Sequence, residues 1–328
     1  MRQIPVNLPK TMRLFNKIIF RNRLFLHHKV VIFINSVIIF MKDMEEYMKL
    51  GKFEIYPVTD GCFYLDGGTV FGIVPRVLWE KIYPPDEKNR IQLSLHCPLI
   101  ITKKYNILID TGIGIKHDEK FCQIYGLSKK NNILESLSRF NYQPKNIDIV
   151  INTHLHFDHA GGNTTFNESG EIVPAFPKAT YFIQEGELEV ALHLNERTKG
   201  SYITEDFLPV SNTKSLCLIK EETIEIEKGI TLIRISGHTR YHQCVKIESE
   251  GQIAFFLADL IPTTAHIPYP YITGYDLTPL ETLENKKKIL KQAFEEHWLL
   301  VFQHDPKIKM GYLEKLNERF EIDEVKIY

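Results

Sequence analysis

The stretch Thr153-His154-Leu155-His156-Phe157-Asp158-His159-Ala160-Gly161-Gly162 decides how the rest of the chain is read. It follows an apolar run over 147–151 that has the length and branched side chains of a buried strand. His154 and His156 stand two apart in an extended segment, so they project the same way and can reach one cation. The chain then turns, and Asp158 and His159 point to a second position beside the first. Neutral imidazole and carboxylate are the usual ligands of zinc and its neighbours. With 13 His in 328 residues, an H-x-H-x-D-H run arises by chance in about one such chain in a thousand. Gly161 and Gly162 are expected to permit the tight backbone that leads into the next element.

Three more candidate ligands follow, each at the end of an apolar run. His238 lies in Ser236-Gly237-His238-Thr239, Asp259 ends the run over 253–258, and His304 follows 298–302. Alone, each is an ordinary polar residue closing a strand. Behind an H-x-H-x-D-H run, the three together read as ligands of a shared metal centre.

Around these residues the chain alternates short apolar runs with turn residues. Strands are expected over 53–58, 98–102, 107–109, 147–151, 180–183, 230–235, 244–247, 253–257 and 299–302. Helices are expected over 129–140, with Ser128 as N-cap, and over 185–195. A third starts at Thr278, with Pro279 in its first position and Glu281 completing a capping box. Its apolar stripe is Leu280, Leu283, Leu290 and Phe294. Strands mixed with helices indicate an α/β chain, and no repeat or low-complexity linker divides it.

Composition supports a folded body with a distinct leading segment. Of the 40 basic side chains, eight fall in residues 1–42, which hold no acidic group. The remainder carries 32 basic against 41 acidic groups, a net of −9. An acidic body lacks the basic stripe that a dedicated nucleic-acid binder needs. The uncharged run over 30–41 has twelve residues, short of the roughly 20 that span a bilayer. Residues 1–47 are therefore expected to be an extension outside the fold, with Met41, Met44 or Met48 as alternative starts. A membrane-surface segment is the competing reading. The folded domain is expected over 48–328. Five dispersed cysteines without a C-x-x-C pair suggest reduced thiols and a cytoplasmic setting.

The ligand set resembles that of the metallo-β-lactamase-fold hydrolases, over about residues 49–310. That resemblance implies a four-layer αβ/βα sandwich with metals at one edge of two mixed sheets. It also implies that His154, His156 and His238 hold one metal, that Asp158, His159 and His304 hold the other, and that Asp259 bridges them. Asp110, in Ile109-Asp110-Thr111-Gly112, matches an aspartate that orients a ligand imidazole. The segments Leu65-Asp66-Gly67-Gly68-Thr69-Val70-Phe71-Gly72 and Ala258-Asp259-Leu260-Ile261-Pro262, with Tyr275-Asp276, are similar to the quorum-quenching lactonase-like group. The resemblance therefore implies opening of a lactone ring, such as that of an N-acyl homoserine lactone. There are departures. Pro262 stands where that group carries a tyrosine, so tyrosine assistance is expected from Tyr269 or Tyr271. Arg240 and Tyr241 replace the Pro and Gly of the common G-H-T-P-G-H run, while His242 is kept.

The chemistry expected is attack on the substrate carbonyl by a hydroxide shared between two divalent metal ions, zinc in the first instance. Asp158 is the candidate for delivering a proton to the leaving oxygen, with His266 as alternate. Phe71, Trp79, Tyr269, Tyr271 and Tyr275 are candidate walls of an apolar substrate pocket. The expected partner is a small-molecule ester or lactone, with no nucleic acid. Membrane association through residues 1–47 and a homodimer stay open. So do ester, phosphotriester and thioester hydrolysis, nuclease action and iron-dependent oxidation on the same ligands.

Overall fold

The computed structural model describes residues 25–26, 29–34, 37–40, 47–128, 131–317 and 319–327. The chain divides into two compact units, Met1–Glu46 with Ile327–Tyr328, and Tyr47–Lys326. In the first, strands Phe25–Leu26, Lys29–Ile34 and Val37–Phe40 pair antiparallel. The second carries two seven-stranded sheets and everything that follows. Among the described residues, no helix is long and apolar enough to cross a membrane.

The first sheet runs in the order Leu216–Ile219, Thr180–Gln184, Ile149–Ile151, Asn106–Ile109, Leu99–Ile101, Phe53–Tyr56, Met48–Leu50. Its first four strands are parallel and the rest antiparallel. Strands with helices on the covering face are buried on both sides and read as unbroken apolar runs, as Ile149–Ile151 does. Alternation along the strands sends Leu108, Val150 and Tyr181 toward the helix Ile133–Arg139, where Ile133 and Leu137 pack. The residues between them, Ile107, Ile109, Ile149 and Ile151, are buried on the opposite face.

The second sheet runs in chain order: Thr223–Glu227, Ile230–Arg234, Gln243–Ser249, Gln252–Phe256, Leu299–Val301, Met310–Leu316, Arg319–Glu324. One pair is parallel, Gln252–Phe256 with Leu299–Val301, because the helix Pro279–Glu295 makes the crossover between them. That helix lays Ile289, Leu290 and Ala293 on Phe255, Leu300 and Trp298. Each sheet thus has a helical layer outside and a buried apolar face inside, the α/β sandwich expected. A hairpin of Thr59–Asp66 with Arg90–His96 adds a further two-stranded sheet.

All nine expected strands are present, with ends shifted by a residue or two. The helices differ more. Asn132, not Ser128, caps the helix Ile133–Arg139; its Oδ1 accepts from the amides of Leu134 and Glu135. Residues 129 and 130 of the expected helix lie outside the described residues. The helix after Thr180–Gln184 stops at Leu192. Thr278 does precede Pro279–Glu295, but its hydroxyl donates to Glu281 and to the Gly237 carbonyl instead of accepting a backbone N–H, so the capping box does not form. The buried face of this helix is Thr282, Lys286, Ile289, Leu290 and Ala293, and Leu280 is 77% exposed. A lysine was not legible as a core position. Its ammonium is satisfied by the carbonyls of Pro268 and Tyr271, each at 2.8 Å.

Candidate metal centre

Every candidate ligand sits just past the end of a strand, where backbone leaves the ladder and side chains can converge. His154 and His156 follow Ile149–Ile151, and Asp158 and His159 lie on the short helix Phe157–Ala160. His238 follows Ile230–Arg234, Asp259 follows Gln252–Phe256 and His304 follows Leu299–Val301. One sheet supplies four of these residues and the other supplies three. Ala258, at φ 43°, holds a conformation that a residue with a Cβ rarely adopts, and this strained turn aims Asp259.

The seven side chains gather into two buried triads. Ligand atoms of His154, His156 and His238 lie within 4.8 Å of one another, as do those of Asp158, His159 and His304. Asp259 joins them. Its Oδ2 is 3.1 Å from His238 Nε2, and its Oδ1 is 3.0 Å from His304 Nε2 and 3.4 Å from His159 Nε2. His156 turns Nδ1 toward His238 Nε2, at 3.1 Å.

The far sides of the imidazoles are held by other groups. His159 Nδ1 donates to Asp110 Oδ2 at 3.0 Å, and the same carboxylate accepts from Thr153 N and Thr153 Oγ1, each at 2.7 Å. His238 Nδ1 donates to Asp276 Oδ1 at 3.0 Å, and His304 Nδ1 donates to the Ser94 carbonyl at 2.8 Å. Each bond fixes a tautomer whose Nε2 lone pair faces the centre. The Asp259 amide donates to His242 Nε2, at 3.2 Å. Burial drives His242 down to about 3, so it stays neutral and able to accept.

Burial, reinforced by neighbouring imidazoles, holds His154 and His156 well below the ordinary histidine range. Burial pushes His159 the same way, but the carboxylates of Asp259 and Asp158 and the bond to Asp110 outweigh it, so it lies well above that range. Asp259 and Asp276 likewise raise His238 against its burial. Burial would raise Asp259, yet the imidazoles of His159, His238 and His304 hold it well below the usual carboxylate range. The carboxylates thus favour positive charge in each triad. Among the described residues, His154 Nε2 and Asp259 Oδ1 are buried and have no hydrogen-bond partner. Orphaned acceptors of this kind are expensive unless a ligand completes them. The residues present therefore fit divalent metal ions, with neutral nitrogen and carboxylate oxygen as donors.

Beside the triads lies a cavity of about 290 Å³, with His156, Asp158, His238, Asp259 and His304 on its floor. Its walls include Tyr64, Leu65, Leu93, Tyr125, Phe157 and Tyr275. Of the expected walls, only Tyr275 lines it. Phe71 and Trp79 are buried, stacked on each other at 5.4 Å, and belong to the core beneath. Tyr269 and Tyr271 are not among its lining residues, so Tyr64, Tyr125 and Tyr275 are the phenols on the wall. His266 is also occupied by the scaffold. Its Nε2 donates to the Val70 carbonyl, its Nδ1 accepts from Thr263 Oγ1, and its ring stacks on Phe71. Burial lowers it to about 4. It is not placed to donate to a leaving group.

Gly161 and Gly162 serve by their smallness. Gly161 has ordinary helical dihedrals, and a Cβ on either residue would strike the carbonyl of Ile113 or Thr111. This approach docks the turn after Asp110 onto the helix that carries Asp158 and His159. The replaced loop residue Tyr241 packs against Gly186, and the loop still delivers His238 and His242. Asp276, Ser94 and Thr153 hold this network from the far side of the imidazoles, and nothing in their sequence neighbourhood marks them for it.

Helix-covered sheets with imidazoles and carboxylates converging past their strand ends define a metal-dependent hydrolase acting on ester bonds. The chain belongs to the metallo-beta-lactamase superfamily, whose family model matches residues 96–324. An N-acyl homoserine lactonase from a Bacillus species is 31% identical over 234 residues, spanning 67% of this chain and 85% of the relative. A probable metal-dependent hydrolase from Staphylococcus aureus has a structure that matches with a TM-score of 0.76 and 32% identity, covering 85% of this chain and 100% of that one. A dizinc quorum-quenching lactonase in complex with a product shares the fold at a TM-score of 0.71 and 20% identity, covering 88% of this chain and 100% of that one.

Proposed function

We propose that the unit Tyr47–Lys326 hydrolyses a lactone, an N-acyl homoserine lactone in the first instance, using two zinc ions. The observation that carries this reading is the division of Asp259, one oxygen toward each triad. A carboxylate so split suits two cations side by side. His154, His156 and His238 would hold one, and Asp158, His159 and His304 the other. Bound there, the ions supply Lewis acidity that acidifies a water and polarises a carbonyl.

The chain's own residues do the rest. Asp158 lines the cavity, and its Oδ2 lies 3.7 Å from His304 Nε2 and 3.8 Å from His159 Nε2. From there it takes up a proton and returns it to the ring oxygen as the carbon–oxygen bond breaks. Tyr64, Leu93, Phe157 and Tyr275 give the cavity the apolar walls that an acyl chain needs. The name of the Bacillus relative supports the lactone over other esters. Residues 1–46 are proposed to lie outside the catalytic fold, with Tyr47 inside it.

The test is proton release by zinc-loaded protein on acyl homoserine lactones, plain lactones, aryl esters and a phosphotriester, beside His154→Ala and Asp259→Ala. Rapid opening of the acyl homoserine lactones, lost in both variants, is expected. Turnover confined to esters or phosphotriesters would discard the substrate and keep the centre.

A further inference from the structure

Glu187 lies outside both triads, yet it touches the backbone or a neighbour of each ligand in the first. It sits in the first turn of the helix Glu185–Leu192 and is 1% exposed. Its Oε1 accepts from Leu155 N at 3.2 Å, the amide between His154 and His156. The same oxygen accepts from Tyr202 Oη at 2.8 Å. The Tyr202 ring in turn packs edge-on against the His156 imidazole, centroids 4.7 Å apart at 78°. Glu187 Oε2 accepts from Thr239 Oγ1 at 2.7 Å, the residue next to His238.

All three partners are neutral. A buried carboxylate is costly, and burial raises the pKa of this one, opposed by the three hydrogen bonds. A group that only filled space there would be cheaper as an apolar side chain. What the carboxylate achieves is a tie between two loops that arise from different sheets, 152–156 and 235–242. His154 and His156 come from one loop and His238 from the other. The second triad has no such contact: His159 is held by Asp110 and His304 by the Ser94 carbonyl.

We infer that Glu187 is a positioning residue for one metal site alone, clamping the loops of His154, His156 and His238 into register through Leu155, Tyr202 and Thr239. This rests on the dinuclear reading above.

The test measures zinc affinity by competition with a chromogenic chelator, in backgrounds that isolate each site. His304→Ala leaves the first triad intact, and His238→Ala leaves the second. Glu187→Ala is expected to weaken zinc binding about 10–100-fold in the His304→Ala background, the usual cost of losing a group that orients ligands. In the His238→Ala background it should change affinity less than about threefold on the same scale. Glu187→Gln keeps an oxygen for Leu155 N and Tyr202 Oη, and the Thr239 hydroxyl can turn to accept from its amide. It should restore first-site affinity to within about threefold. Equal weakening of both sites, no weakening at either, or failure of Gln to rescue would each overturn the inference. Wild-type protein that binds fewer than two ions per chain would instead overturn the dinuclear reading on which it stands.

Discussion

Replacing Asp110 by Asn should disable the second metal site without disturbing the fold around it. The carboxylate accepts three hydrogen bonds, from Thr153 N, Thr153 Oγ1 and His159 Nδ1. An amide has one acceptor oxygen, so either orientation sets its NH₂ against a donor. With the oxygen toward Thr153 N, the NH₂ faces His159 Nδ1. The imidazole must then move its proton to Nε2, the atom that faces Asp259 at 3.4 Å. The lone pair aimed at the centre is lost. A hydrogen bond to a charged group contributes about 1.5–3 kcal/mol. At about 1.4 kcal/mol per tenfold, the second site should bind zinc roughly 10–100 times more weakly. Competition with a chelator in the His238→Ala background reads this directly, and circular dichroism checks that the fold persists. Second-site affinity within threefold of the parent would refute the view that Asp110 sets the His159 tautomer.

Three further outcomes are expected. Trp79→Ala should cost about 3–5 kcal/mol in urea unfolding while leaving KM unchanged, because the ring is core and not cavity wall; a changed KM at constant stability would restore it to the pocket. Tyr125→Ala removes apolar wall worth about 1.5 kcal/mol and should raise KM about tenfold for long-chain acyl lactones but hardly for short ones; equal effects on both would deny Tyr125 a place beside the chain. The melting temperature of metal-free protein should climb between about pH 4 and 6.5, because burial lowers His96 and His266 to about 4 and His242 to about 3, and the unfolded chain takes up protons there that the folded one refuses. Burial raises Asp60 and Asp206 to about 6, which opposes the climb in the same window; a melting temperature that falls across it would mean these imidazoles are protonated in the fold.

The ligands were legible because their chemistry is carried by residue type and spacing, and strand ends are marked by the apolar runs before them. In the structure His154, His156, Asp158, His159, His238, Asp259 and His304 lie together. The cavity walls were not legible. Phe71 and Trp79 lie near motif residues in sequence, but pleating and turns decide which aromatic rings face inward, and those decisions are tertiary. The same holds for Lys286, whose burial depends on carbonyls of a loop 15 to 18 residues away. His266 looked free because a lone histidine on a loop carries no sign of the Val70 carbonyl and Thr263 hydroxyl that engage it. The hairpin Thr59–Asp66 with Arg90–His96 was hidden for another reason: its partner strand follows a long helical insertion, so no short turn announces the pairing.

The origin of the ligands in both sheets bears on how long a molecule survives. The strands that deliver His154 and His238 belong to separate layers, joined beside the site by hydrogen bonds through Glu187 and Gln243. Ions bound between them would act as rivets across the seam. Stripping the metal would then loosen the joint between layers, not merely silence a reaction. Endurance against heat and proteolysis would follow the supply of metal, and a starved cell would lose the protein as well as its activity.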